Sequence, residues 1–257
     1  MVSKAEDTFE TRPDAAERAS VRFGSRARLG LLVPSGNTVA EGDFDALLPS
    51  NISFHATRLR LTGSSPEELL AMVDNVEMAA SLLADTKPDL IGFHCTAVST
   101  SSEELETSIL ERARAASGID IVVTSQAISR AMSVLNAKRV VLVTPYVDHI
   151  NQSEIEFLHR QGVEVVDSVG LDLFSPHEMA AVTPEAWFEL TVAHRHGEAD
   201  AYFISCTAIR SLDVIAPLEG RLERPVITSN QAMAWHVLRT MGVSDRIAGY
   251  GRLMNDY

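Results

Sequence analysis

The stretches Asp89-Leu-Ile-Gly-Phe-His-Cys-Thr-Ala97 and Asp200-Ala-Tyr-Phe-Ile-Ser-Cys-Thr-Ala208 decide the fold. Each begins with an aspartate, continues through a short apolar segment typical of a buried strand, and ends in Cys-Thr-Ala. The second stretch lies 111 residues after the first, and Pro145 follows Pro34 by the same offset. An internal repeat of this length predicts two similar halves rather than a solenoid, which needs several short repeats.

Strands and helices alternate around these two stretches. The predicted strands lie at 29–33, 54–61, 90–93, 121–124, 140–143, 163–166 and 201–205, with a last one ending near 228. The predicted helices include 40–48, 65–85, one opening at Ser102, and 151–160. This alternation predicts an α/β fold of two pseudo-symmetric halves, each a mainly parallel four-stranded sheet flanked by helices. We expect the active-site cleft between the halves, because ligands bind beyond the carboxyl ends of parallel strands.

The chain divides into three segments. Residues 1–27 lack apolar periodicity and are predicted to form a flexible tail. Residues 28–138 form the first α/β half and 139–257 the second, whose C-terminal helix is expected to pack on the first. Near the end of each half, Val-Thr-Ser-Gln-Ala at 123–127 resembles Ile-Thr-Ser-Asn-Gln-Ala at 227–232, which equates Thr124 with Thr228.

Composition excludes several classes of protein. Hydrophobic residues make up 46% of the 257 positions and charged residues 22%, close to an ordinary globular composition. The net charge of −13 argues against nucleic acid or anionic membranes as partners. The sequence contains no apolar run long enough to span a bilayer and no glycine-rich phosphate-binding motif. We therefore expect a cytoplasmic protein that binds neither nucleotide nor metal.

Both cysteines follow directly on a predicted strand. At the carboxyl ends of equivalent strands, Cys95 and Cys206 should face one another across the cleft. Backbone N–H groups of the following turns could lower the pKa of each thiol and hold a carboxylate. The alternative is that both are small core hydrophobes, since free cysteine is often buried. His94 precedes Cys95, but adjacent strand residues point to opposite faces, so it is interpreted as structural.

Three motifs carry a resemblance to a known family. They are Pro34-Ser35-Gly36-Asn37-Thr38, the two Cys-Thr segments, and Thr144-Pro145-Tyr146. With them the chain resembles the aspartate/glutamate racemase superfamily, and most of all its maleate cis-trans isomerase and arylmalonate decarboxylase branch, from about Arg28 to Val243. The resemblance implies a homo-oligomeric isomerase without metal or organic cofactor, acting on a small unsaturated, maleate-like dicarboxylate.

The resemblance also implies a mechanism and a set of site residues. Cys95 adds to the substrate double bond as a thiolate, the adduct rotates about the new single bond, and elimination gives the trans product. Cys206 is then the acid/base partner. The implied substrate-binding residues are Ser35, Asn37, Thr38, Thr96, Ala97, Tyr146, Thr207 and Ala208.

The same residues leave other functions open. Two opposed thiols also suit an amino-acid racemase of the Asp/Glu type, in which each cysteine acts on one face of the α-carbon. An arylmalonate-type decarboxylase ranks lower, because that branch usually retains only the second-half cysteine. A small-acid binding protein without catalysis is the remaining alternative. The sequence departs from the maleate isomerase pattern at Gly36 and in 171–178, where Pro176 or His177 replaces an expected asparagine.

Overall fold

Two separate four-stranded parallel sheets form the framework. The computed structural model describes residues 24–257, so 1–23 of the predicted tail lie outside the described residues. The first sheet contains β1 (Ala27–Pro34), β2 (Ile52–Leu59), β3 (Leu90–Phe93) and β4 (Ile121–Val123), in the order β2-β1-β3-β4. The second contains β5 (Arg139–Thr144), β6 (Glu164–Gly170), β7 (Ala201–Ile204) and β8 (Val226–Thr228), in the order β6-β5-β7-β8. The predicted α/β architecture is confirmed.

Helices connect the strands in both halves. In the first half they are α1 (Ala40–Leu47), α2 (Pro66–Ala71), α3 (Val76–Ala84), α4 (Thr96–Ser99), α5 (Glu103–Ser117) and α6 (Thr124–Val134). In the second half they are α7 (Asp148–Arg160), α8 (Pro176–Ala181), α9 (Pro184–Ala193), α10 (Ile215–Leu222), α11 (Ser229–Thr240) and α12 (Gly251–Asp256). Short 3₁₀ turns lie at Met72–Asn75 and Leu212–Val214.

One predicted helix is divided in two. The sequence predicts a continuous helix from 65 to 85, and Ser65 does open α2 through a capping box with Glu68. The 3₁₀ turn then separates α2 from α3, and Asn75 leaves the helical conformation at φ −107° and ψ 16°. Short polar side chains such as that of Asn75 compete with the backbone for hydrogen bonds, which favours a break at this point.

The duplication recurs in the contacts that fix the central strands. The Asp89 carboxylate accepts the Arg28 backbone N–H at 2.8 Å, and Asp200 accepts that of Arg139 at 2.9 Å. Strand pairing also aligns the last strands of the two halves. Phe93 lies opposite Val123, and its equivalent Ile204 lies opposite Thr228, so Val123 corresponds to Thr228. The predicted match of Thr124 with Thr228 is thus wrong by one residue.

The corrected register has a direct consequence. Thr124 and Ser229 are the equivalent first residues of α6 and α11, because strand pairing outweighs the local match of Thr-Ser. The two residues therefore occupy related places at the carboxyl ends of their sheets.

Of the two hydrophobic clusters in 24–257, one spans both halves and the other lies within the first half. The cluster that spans both halves includes Leu29 and Leu31 of the first sheet together with residues of β5, β7 and α11. Helix α11 packs against α6 and α1, and a Cβ added at Gly92 would lie 2.5 Å from Met233 of α11. Helix α12 packs instead against α10, α11 and β8, so of the last two helices it is α11 that packs on the first half. Within 24–257, no helix combines the length and apolar character needed to cross a membrane.

Candidate active site

Cys95 and Cys206 lie at the carboxyl ends of β3 and β7. Both are 4% exposed, and each is close enough to the other that charge at Cys206 raises the pKa of Cys95. Tyr146 follows β5, is 4% exposed, and lies near enough to Cys206 for its hydroxyl to lower the pKa of that thiol. The three side chains thus come from both halves and meet in one buried site, as expected from the strand order.

The backbones of the two cysteines differ despite the duplication. Cys95 is extended, with φ −148° and ψ 112°. Cys206 has φ +132°, a region that residues with a side chain rarely occupy. Its N–H donates to the Ser229 hydroxyl at 3.0 Å, and the preceding Ser205 N–H donates to the Val143 carbonyl at 2.8 Å. These contacts hold a strained residue, which is common at functional sites.

Burial determines the ionisation of both thiols. It raises the pKa of Cys95 to about 12, although the Val98 backbone N–H opposes the shift. It raises the pKa of Cys206 to about 11, a smaller change because hydrogen bonds from Tyr146 and the Ala208 backbone stabilise the thiolate. The predicted lowering of the thiol pKa is therefore wrong. The N–H groups are present, but desolvation outweighs them.

Asn37 joins the two halves. Its amide Nδ2 donates to the Thr207 carbonyl at 2.9 Å and to the Thr207 hydroxyl at 3.1 Å. Its Oδ1 accepts the N–H groups of Val39 and Ala40, which open α1. The side chain is 1% exposed, and all its polar atoms are engaged in these contacts. Asn37 therefore fixes the position of the residue that follows Cys206.

Two other predicted residues, Ser35 and Thr38, lie in the loop that follows β1. The Ser35 hydroxyl accepts the Leu61 N–H at 3.0 Å and donates to the Leu61 carbonyl, while Thr38 is exposed. Arg58 donates to the Asn37 carbonyl at 2.7 Å and pairs with Glu41. These contacts fix the loop that carries Asn37.

Ser229 connects the segments that carry the cysteines, and sequence analysis did not single it out. Its hydroxyl accepts both the Cys206 N–H and, at 2.9 Å, the Thr96 hydroxyl. The alanines of the two Cys-Thr-Ala segments, Ala97 and Ala208, are 9% and 5% exposed, so both line the buried site with little side-chain volume.

His94 belongs to a buried polar chain that crosses between the halves. Its Nε2 lies 2.8 Å from Asn230 Oδ1, and Asn230 Nδ2 donates to Asp43 at 2.6 Å. Burial lowers the pKa of His94 to about 4 and raises that of Asp43 to about 7, so the histidine is neutral at pH 7. Both ring nitrogens of His94 thus have buried polar partners, Nε2 at Asn230 and Nδ1 at Thr124, which gives the histidine a structural place.

Helix α8 covers the second cysteine. Met179 Sδ lies 3.9 Å from Cys206 Sγ. A Cβ added at Gly36 would lie 3.1 Å from Pro176 Cγ, so the two departures from the family pattern are neighbours in space. The Ser64 hydroxyl donates to the Phe174 carbonyl at 2.6 Å, which ties this segment to the first half. Across 24–257, no group of three or more His, Cys, Asp or Glu side chains is arranged to hold a metal ion.

The family follows from a match over almost the whole described chain. The family model described as arylmalonate decarboxylase matches residues 29–254. The chain belongs to the arylmalonate decarboxylase family. A maleate isomerase of Nocardia farcinica is 30% identical to it over 239 residues, covering 88% of this chain and 95% of the relative. The predicted branch and the predicted class of isomerase are confirmed by these matches.

Two solved structures of family members resemble this one closely. An alanine variant of the maleate isomerase Iso from Pseudomonas putida S16, crystallised with maleate, has a TM-score of 0.85 and 26% identity, covering 89% of this chain and 97% of that one. A cysteine-to-serine variant of the Nocardia farcinica maleate cis-trans isomerase, with a covalently bound succinylcysteine intermediate, has a TM-score of 0.85 and 27% identity, covering 90% and 99%.

Proposed function

We propose that this family member is a cofactor-independent cis-trans isomerase of a small unsaturated dicarboxylate such as maleate. The observation that carries the proposal is the meeting of Cys95, Cys206 and Tyr146 in one buried site built from both halves. The succinylcysteine found in a related maleate isomerase supports covalent chemistry at a cysteine.

The reaction begins from the form in which Cys95 has lost its proton to solvent and Cys206 keeps its own, a minor form at pH 7 because burial raises the pKa of both thiols. The Cys95 thiolate attacks one alkene carbon, forming a C–S bond while the π electrons move to the neighbouring carbon and its carboxylate. The Cys206 thiol delivers its proton to that carbon, which gives a succinyl adduct and a Cys206 thiolate. Rotation about the new single bond follows. Cys206 then removes the proton, the double bond re-forms, and Cys95 leaves as a thiolate with the trans product.

Polar donors around the thiols stabilise the negative charge that develops. The Tyr146 hydroxyl and the Ala208 N–H already contact Cys206, and the Val98 N–H contacts Cys95. Preorganised donors of this kind cost no reorganisation during the reaction. We assign the substrate carboxylate to the Thr207 hydroxyl, which accepts a hydrogen bond from Asn37 and keeps its own hydrogen to donate; Asn37, whose polar atoms are all engaged, holds Thr207 in place. We give Thr96 and Ala97, and more remotely Ser35 and Thr38, the role of shaping the first-half side.

The racemase is the second candidate, because a thiol from each half could also exchange an α-proton between two faces. The two reactions differ in what they require of Cys95. Isomerisation needs a covalent adduct at this residue, whereas racemisation needs only proton transfer.

Proton NMR in D₂O tests both functions on the full chain. Maleate, aspartate, glutamate and an arylmalonate are incubated with the wild type and with Cys95→Ala and Cys206→Ala. Conversion of maleate to fumarate, lost in both variants, is the expected result. Cys206→Ser should in addition accumulate a succinyl adduct on Cys95, seen by peptide mass spectrometry. Deuterium exchange at an amino-acid α-carbon without maleate turnover would instead assign a racemase, and loss of CO₂ from the arylmalonate a decarboxylase.

A further inference from the structure

A buried carboxyl group lies behind Cys206 and has no role in the reaction as proposed. Glu154 of α7 is 0% exposed, and its Oε1 accepts a hydrogen bond from the Ser205 hydroxyl. Ser205 directly precedes the strained Cys206. Among the residues that the structure describes, Glu154 Oε2 has no hydrogen-bond partner although it is shielded from solvent. A buried carboxylate in such a place is costly, and a neutral acid is much less so.

The first half contains the equivalent acid. Asp43 of α1 precedes Glu154 by the same 111 residues that separate the cysteines. Asp43 is bound by Asn230, whose Oδ1 faces His94, the residue directly before Cys95. Each cysteine is thus preceded by a polar residue that is linked to an acid on the helix after the first strand of its half. The two acids thus occupy equivalent places, but Asp43 is only half-buried and reaches His94 through Asn230, whereas Glu154 is fully buried and contacts Ser205 directly.

Few other charges surround Glu154. Burial raises its pKa to about 8, so the side chain is neutral at pH 7. The titratable groups that its charge affects are Cys206 and Tyr146, and a negative Glu154 raises the pKa of both. Strand β6, against which α7 packs, carries the exposed Glu164 and the half-buried Asp167, and Asp167 pairs with His194. No described cation forms an ion pair with Glu154 within 24–257.

We propose that Glu154 is a positioning residue for Cys206: as a neutral acid it holds Ser205, and so the strained cysteine, and it permits negative charge on the thiol. This inference rests on the proposed acid/base role of Cys206. When Glu154 ionises at alkaline pH, its negative charge disfavours the Cys206 thiolate, which forms when Cys206 delivers its proton to the substrate. Glutamine has the shape of the neutral acid and accepts the same hydrogen bond from Ser205, but it never becomes charged.

The test measures thiol ionisation directly, without substrate. The full chain is labelled with β-¹³C cysteine, and the two signals are assigned with Cys95→Ala and Cys206→Ala. NMR titration of Glu154→Gln should show the Cys206 midpoint lowered by about one pH unit or more, the size typical of losing a neighbouring like charge. Glu156→Gln on the same helix removes the same charge from an exposed position, and it should leave the midpoint unchanged.

The outcomes separate this inference from the proposed function. An unchanged Cys206 curve in Glu154→Gln, or an equal shift in both glutamine variants, overturns the inference whether or not maleate is converted. A wild-type titration with carboxyl-¹³C glutamate needs no variant: one signal should titrate near 8. If every glutamate titrates near its ordinary value of about 4.3, the inference is also overturned. With maleate, Glu154→Gln should raise kcat at alkaline pH and leave KM unchanged.

Discussion

Replacing Asn37 with alanine tests how the two halves are joined. The substitution removes the acceptor of two N–H groups at the start of α1, a loss of about 1 kcal/mol by analogy with helix capping. It also leaves the buried Thr207 groups with fewer partners, at a cost of about 1–3 kcal/mol. We expect the free energy of unfolding to fall by about 2–4 kcal/mol in total.

Urea unfolding followed by circular dichroism measures this loss. Thr38→Ala, an exposed neighbour, is the matched control and should change stability by less than about 0.5 kcal/mol. A double-mutant cycle with Thr207→Val isolates the bond between the two side chains, for which we expect a coupling of about 0.5–1.5 kcal/mol. If Asn37→Ala is as stable as Thr38→Ala, Asn37 does not join the halves in the way described.

Three further predictions concern the thiols and the buried acid. Cys206→Gly should be more stable than Cys206→Ala by about 1 kcal/mol, because glycine tolerates φ +132°; equal or lower stability in urea would argue against strain at this residue. Iodoacetamide should alkylate both cysteines slowly at pH 7 and about tenfold faster per pH unit above it, since burial holds both thiols neutral; fast, pH-independent labelling by mass spectrometry would contradict this. Because folding raises the pKa of Glu154 to about 8, the stability that this group contributes is complete below its unfolded pKa and is lost as pH rises to 8. Urea unfolding at several pH values between the unfolded and the folded pKa should therefore show that the free energy of unfolding falls less steeply with pH in Glu154→Gln than in Glu156→Gln. Equal slopes in the two variants would refute the assignment.

The duplicated architecture could be predicted because its signals are local. Asp89 and Asp200 each open a buried strand, and Cys95 and Cys206 each end one, so a shared offset places them in equivalent positions. The register at the end of each half could not be read in the same way. There the local match of Thr-Ser competes with strand pairing, which depends on contacts far apart in sequence.

The buried Glu154 leaves a signal in the sequence. Glu154 lies at helical spacing between Ile150 and Phe157, on the buried face of α7. An acid on the apolar face of a helix is unfavourable unless it has a partner, and its partner Ser205 is distant in sequence. The raised thiol pKa values were beyond prediction for a related reason: N–H groups in a turn can be anticipated from sequence, whereas the degree of burial requires the packed structure.

The hydrophobic cluster that spans both halves also bears on how a duplicated gene can diverge. With Met233 of one half seated against Gly92 of the other, neither copy can change its packing surface without a compensating change in its twin. The halves are thus free to differ at exposed positions and around the two cysteines, but they are inherited as one unit. Exchange of a single half with that of a distant relative would combine two surfaces that did not evolve together.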